Sequence, residues 1–193
     1  MEDLPPLQIS ELKQQILTDD IQSYNDIAEL NMIVSTLKSN SDTAVSEFKE
    51  VLIMLTEELA RVTGDHMLMM HKTNIVGFIN KNPKGLVDSL ILKCYEAKDG
   101  MLRERIVKGD DSFFMSNSLD DVSEGDSSIV NIIFQFKNFW GKLNTDNRNI
   151  IKNSLLALIS LCDMRYLAFK KYQCLKKLNQ TYTHIFSELD NIF

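Results

Sequence analysis

Glycine and proline are scarce in this chain of 193 residues, with 7 and 3 respectively. Sheet proteins and loop-rich enzymes spend both residues freely on turns, so their shortage points to helices. Cysteine is equally sparse. Cys94, Cys162 and Cys174 form an odd set with no C-x-x-C pair, and each sits in an apolar, helix-like stretch. Free thiols in such places behave as small buried hydrophobes in a reducing compartment. No apolar run approaches the ~20 residues of a membrane span, the longest being near Leu155 to Cys162. The acidic start, Met1-Glu2-Asp3-Leu4-Pro5-Pro6, lacks the basic and apolar parts of a signal peptide. An intracellular, cytoplasmic protein without a membrane span is expected.

Catalytic signatures are missing too. No G-x-S-x-G, H-E-x-x-H or phosphate-cradling glycine loop occurs, so neither an enzyme nor a cofactor is expected, and no small-molecule substrate is evident. The segment His66-Met67-Leu68-Met69-Met70-His71 joins thioethers to imidazoles, a ligand set suited to Cu(I). On a helix, however, two histidines five apart diverge around the axis. The reading preferred here is methionine as adaptable core filler, with no metal.

What the chain does contain is helical periodicity. Ser10 predicts a short helix ending near Asp19-Asp20. Ile21, Tyr24, Ile27, Leu30, Ile33 and Leu37 predict a second helix, closed by Ser39-Asn40. Asp42 then caps a third, with Val45, Phe48, Leu52, Leu55, Leu59 and Val62 on one face and Gly64 as its stop. Residues 65–82 are expected to be helical with a bend at Gly77. Asn82-Pro83-Lys84-Gly85 reads as a turn, followed by a helix through Leu86, Val87, Leu90, Ile91, Cys94 and Tyr95, and further turns over Met101 to Val107.

Residues 109–127 break the pattern. They hold three acidic clusters and five serines around little apolar material, which predicts a long acidic loop, pinned to the core by Phe113-Phe114. Ser118 and Ser123 each have an acid three residues on and fit acidophilic-kinase acceptor sites, although a plain solvated linker fits as well. Ser128 is expected to cap the next helix, which runs to Leu143. After the turn at Asn144-Thr145-Asp146 no glycine or proline occurs up to Phe193. A continuous final helix would approach ~70 Å; a break near 179–183, where poor helix formers gather, is the alternative.

Charge divides the chain. Residues 1–126 carry 12 basic against 23 acidic side chains, whereas residues 127–193 carry 9 against 4. The halves could attract one another, or the basic half could meet an acidic partner. Arg165, Lys170, Lys171, Lys176 and Lys177, with Tyr166 and Tyr172 nearby, form a basic patch of the kind that tracks a phosphate backbone. A solvated face opposite an apolar stripe explains it equally simply. That stripe ends in Tyr182, Ile185, Phe186, Leu189, Ile192 and Phe193. It must bury against the fold, a partner groove or a second copy.

The pattern Phe139-Trp140-x-x-Leu143-x-x-x-Asn147-x-x-Ile150-x-x-x-Ser154-Leu155-x-x-Leu158 resembles a segment of small all-helical proteins of large nucleocytoplasmic DNA viruses. Those proteins often carry a further Trp where this chain has Ile151 or Lys152. The resemblance covers some 25 residues; it implies a viral or virion-associated protein, in host cytoplasm or particle, and carries no catalytic residues.

The expectation is therefore an all-α multi-helix bundle, one domain overall. It comprises an acidic helical part (1–108), an acidic loop (109–127) and basic C-terminal helices (128–193). Its expected role is non-enzymatic, as a structural or interaction protein of a virion or its assembly, through a protein partner or self-association. A regulatory adaptor for a partner helix is the alternative, and a nucleic-acid binder the weaker one.

Overall fold

The computed structural model describes residues 26–64, 66–96, 101–109, 111–115 and 139–193. The helix expected before residue 20, most of the helix expected from Ser128 to Leu143, and most of the acidic loop lie outside them; the described end of that second helix is instead a 3-10 turn, Trp140–Lys142, followed by extended Leu143. Among the described residues the chain is all-α.

Helix α1, Ile27–Thr63, is capped by Asp26, whose carboxylate accepts from the Ala28 amide at 2.8 Å, and ends at Gly64 in the left-handed conformation (φ 59°). At 37 residues it spans about 55 Å. It does not stop at Ser39-Asn40, and Asp42 caps nothing. The stripe Leu30, Val34, Leu37, Ser41, Ala44, Phe48, Leu52, Leu55, Leu59 is buried without interruption at spacings of three and four. Lys38 and Asp42 pair across one turn of this same helix, at 2.9 Å. Serine and asparagine are mediocre helix formers, but Ser41 occupies a core position and has a partner there. Local propensity yields to tertiary packing.

Helix α2, His66–Lys81, turns back along α1 through Leu68, Ile75 and Ile79. The turn expected at Asn82 is the start of helix α3, Pro83–Ile91, with Pro83 in the first turn and the Asn82 side chain accepting from Gly85. A single π-helical turn, Leu92–Glu96, follows. Next comes α4, Met101–Lys108, ending at Gly109 (φ 60°). Residues 111–115, expected as loop, form a short helix α5, Asp111–Met115. Its Phe114 is buried and stacked on Trp140 at 4.3 Å. Burial of that one ring supplies what the flanking acids do not.

Helix α6, Thr145–Leu178, is capped by Asn144 and runs antiparallel to α1. Its first half meets the Phe48–Ala60 end of α1, and its last turns meet Leu30, Val34 and Leu37. The final helix is broken, not continuous. Asn179 ends it, a 3-10 run spans Gln180–Phe186 with Tyr182 in a non-helical conformation, and helix α7, Ser187–Asp190, completes the described chain.

Two hydrophobic clusters result. The larger joins α1, α2, α3, the π turn, α4, Trp140 and α6; the smaller joins the start of α1, the end of α6 and the C-terminal segment. Each contains a polar anchor or borders one. Within the larger cluster, Arg103 is wholly buried and forks onto Asp163 at 3.0 and 2.7 Å. The Tyr95 hydroxyl donates to the same carboxylate, and the Tyr95 ring stacks on Tyr166 at 4.5 Å. Truncating one member of such a pair strands a buried charge, whereas exposed pairs contribute little. Asp163→Ala should therefore cost about 3–5 kcal/mol, and Lys38→Ala, on an exposed pair, less than about 1 kcal/mol. Urea unfolding followed by circular dichroism measures both.

Candidate functional site

Buried sites come first. Arg165, expected in the basic patch, is 2% exposed. Its Nε and Nη2 donate to Asp88 of α3 at 2.7 and 3.1 Å, its Nη1 donates to Ser41 of α1, and its Nη2 also reaches the Ile192 carbonyl at 3.0 Å. The Phe193 ring lies 5.2 Å from the guanidinium. Lys176 pairs with Asp190, and Lys170 lies over the Tyr166 and Phe169 rings at 5.3 and 5.4 Å. Lys171 is half-buried and Lys177 is exposed. The five cations do not form one surface, because the helical repeat turns Arg165 into the core. The correction is physical: Arg165 is an internal clamp.

The terminal stripe also turns inward. Ile185, Phe186 and Leu189 are buried against Leu30, Val34, Leu37, Ala168, Tyr172 and Leu175, with Tyr182, Ile192 and Phe193 packed around them. Asp190 accepts from both Lys176 and the Tyr172 hydroxyl. Those hydrogen bonds, Lys176 foremost, hold the Asp190 carboxyl below its usual range. Ser118 and Ser123 lie outside the described residues.

The exposed surface is where the structure departs furthest from expectation. Among the described side chains methionine is not core filler: Met32, Met54, Met69, Met70, Met101, Met115 and Met164 are exposed. The densest display is on α2. Its inward side is apolar (Leu68, Ile75, Ile79), and its exposed side, which also carries His66, His71, Asn80 and Lys81, includes three large apolar side chains, Met69 60%, Met70 62% and Phe78 40% exposed. Thr73 and Asn74 are exposed between them, and a side chain added at Gly77 would meet nothing within 4 Å. A surface helix ordinarily carries charge on its outer face. This one does so only at its rim. From His66 to Val87 the sequence holds no acid, while Lys72, Lys81 and Lys84 fall within it, in the half of the chain that is otherwise strongly acidic.

The sequence carried the signal for this face in its all-round apolar Met67–Met70 stretch and its acid-free run. His66 and His71 are both exposed at that helix, and among the described residues no three His, Cys, Asp or Glu side chains come together. Among the described residues no helix is long and apolar enough to cross a membrane. No family model, curated protein or solved structure matches the chain at a significant level.

The two buried thiols, Cys94 and Cys162, are poor nucleophiles. Burial, with the negative charge of Asp163, pushes Cys94 up to about 12, and burial raises Cys162 in the same direction. Since the thiolate is the reactive form, iodoacetamide at neutral pH should label half-buried Cys174 in the native protein and spare the other two. Peptide mass mapping with and without denaturant reads the pattern. The Asp190 contact has its own pH signature. A carboxyl lowered in the folded state stabilises above the unfolded carboxylate pKa of about 4, and that contribution is lost as pH falls through the lower folded value. Amide shifts of residues 182–193 should therefore move below about pH 4, ahead of those in the middle of α6.

Proposed function

We propose that this chain is a non-enzymatic interaction protein that docks a partner helix on the outward face of α2. The partner of stated chemistry is an amphipathic helix whose apolar stripe is flanked by acids. One observation carries the reading: the exposed side of α2 presents Met69, Met70 and Phe78 among neutral polar residues, with no acid from His66 to Val87 and with lysine at its C-terminal end. Met69, Met70 and Phe78 supply soft, adaptable contact area, the kind used where a surface must fit an incoming helix. Gly77 leaves room for close approach, because no atom lies where its side chain would be. Lys81 at the C-terminal end attracts acids on the incoming helix.

A contact-making role is also what the resemblance to viral helical proteins implies, in a particle or during its assembly. No observation favours a nucleic-acid interface, since Arg165 is internal and Lys176 is ion-paired.

Selection from a displayed library of amphipathic helices, with flanking charge randomised, tests the proposal. Enriched helices should carry acidic flanks and lose about tenfold or more in affinity to a Met70→Glu/Phe78→Glu protein, the scale of removing two anchors from an interface centre. Recovery of no helix, or of helices that bind the variant equally well, would falsify it. The variant's thermal midpoint should stay close to that of the parent, both side chains being exposed.

A further inference from the structure

Helix α2 begins with a cluster whose chemistry differs from that of an apolar docking face. His66, Met69 and Met70 stand at spacings of three and four residues, and all three are exposed. At 3.6 residues per turn, Met69 lies about 60° to one side of His66 and Met70 about 40° to the other. Neighbours at these spacings have Cβ atoms roughly 5–6 Å apart. Long side chains on a helix also lean toward its N-terminus, which directs both thioethers toward the turn that bears His66.

The packing of α2 turns this patch outward. Leu68, Ile75 and Ile79, which are buried against the core, lie about 140° to 180° round the helix from His66. Turning either thioether toward the imidazole leaves those three core contacts intact. A site built on both histidines fails, because His71 lies about 140° from His66. A site built on His66 and the two thioethers needs only one of them.

The ligand types select the ion. Thioether sulfur is soft and neutral, and together with imidazole it suits Cu(I), whereas hard cations require carboxylate or carbonyl oxygen. No acid occurs from His66 to Val87, so this stretch offers a hard cation no carboxylate. Three neutral ligands leave the single charge of Cu(I) uncancelled, and the acidic excess of residues 1–126 supplies a favourable field for it. The other exposed methionines, Met32, Met54, Met101, Met115 and Met164, have no histidine within four residues.

We propose that His66, Met69 and Met70 form a three-coordinate site for Cu(I) at the start of α2. One helical turn supplies all three ligands, so binding requires no movement of one helix against another. The site does not rest on the docking of a partner helix, although Met69 and Met70 belong to both. Docking uses their apolar area and metal binding uses their sulfur; leucine keeps the first and removes the second.

NMR of isotope-labelled methionine methyl groups in the full chain tests the site, with Cu(I) kept reduced by ascorbate and bicinchoninate as competing chelator. Cys174→Ser removes the half-buried thiol that would otherwise compete for the ion. One equivalent should shift the Met69 and Met70 methyls together and leave those of Met32, Met54 and Met164 in place. Met69→Leu/Met70→Leu and His66→Ala should each lose about tenfold or more in affinity, at least the effect of losing an outer-shell partner. His71→Ala and Phe78→Glu should bind Cu(I) as the parent does. These α2 side chains are exposed, so the variants keep the fold, and their spectra away from α2 check it. The proposal fails if no saturable shift appears at Met69 and Met70, or if every exposed methionine responds alike. It fails equally if His71→Ala, rather than His66→Ala, abolishes binding. A Met69→Leu/Met70→Leu protein that loses Cu(I) and still captures acid-flanked helices separates this site from the docking reading.

Discussion

The guanidinium of Arg165 fixes the relative placement of four parts of this molecule. Through Ser41 it sets where α6 crosses α1, through Asp88 it ties in α3, and through the Ile192 carbonyl and the Phe193 ring it receives the end of the chain. It also lies where the two hydrophobic clusters meet: Tyr166 belongs to one and Ala168 to the other. An apolar seam between two long helices can slide by a turn with little change in area buried. A single polar residue at a core position cannot, because any other register leaves it unpaired. Ser41 is a polar member of a largely apolar stripe whose other buried hydroxyl, Thr56, bonds within its own helix, so the Arg165–Ser41 contact favours one alignment of some 50 Å of paired helix.

That contact also explains which parts of the fold were legible in the sequence. Gly64 as a stop, a turn and new helix start at Asn144-Thr145-Asp146, the stripe of Leu155, Leu158 and Cys162, and the poor helix formers that made a break near 179–183 one of two readings are all signals within a few residues of each site. Ser39-Asn40-Ser41 reads as the end of a helix for equally local reasons. What keeps α1 intact there is a side chain 124 residues away. The π turn at Leu92–Glu96 carries Tyr95, which shares with Arg103 a partner, Asp163, sixty or more residues distant. Periodicity finds faces. It does not say which polar residue on a face has an internal mate.

The same limit governed the candidate site. Methionine within an apolar run has the hydropathy of a core residue, and only the three-dimensional arrangement shows that α2 already has Leu68, Ile75 and Ile79 facing inward. Once that side is filled, Met69, Met70 and Phe78 have nowhere to go but outward. The terminal stripe is the converse case. Its spacing on an extended helix suggests an unpartnered surface, but the break at Asn179 folds it onto the start of α1.

The opposed charges of the two halves are then largely an internal matter. Acids of the first half meet bases of the second at Asp88–Arg165, Asp111–Arg148 and Asp111–Lys152, and Arg103–Asp163 makes the reverse exchange. Pairing takes Arg165 out of the surface that a nucleic-acid reading would need, and Lys176 is bound to Asp190. It does not neutralise the helix that takes no part in these pairs. Helix α2 keeps its exposed apolar side chains and a lysine at its C-terminal end, with no acid, against an acidic background, so its field and its apolar area favour the same kind of visitor. A surface that is apolar where neighbours are charged, and basic where neighbours are acidic, discriminates by two independent terms. A partner satisfying only one of them binds less well, and specificity arises from the mismatch as much as from the fit.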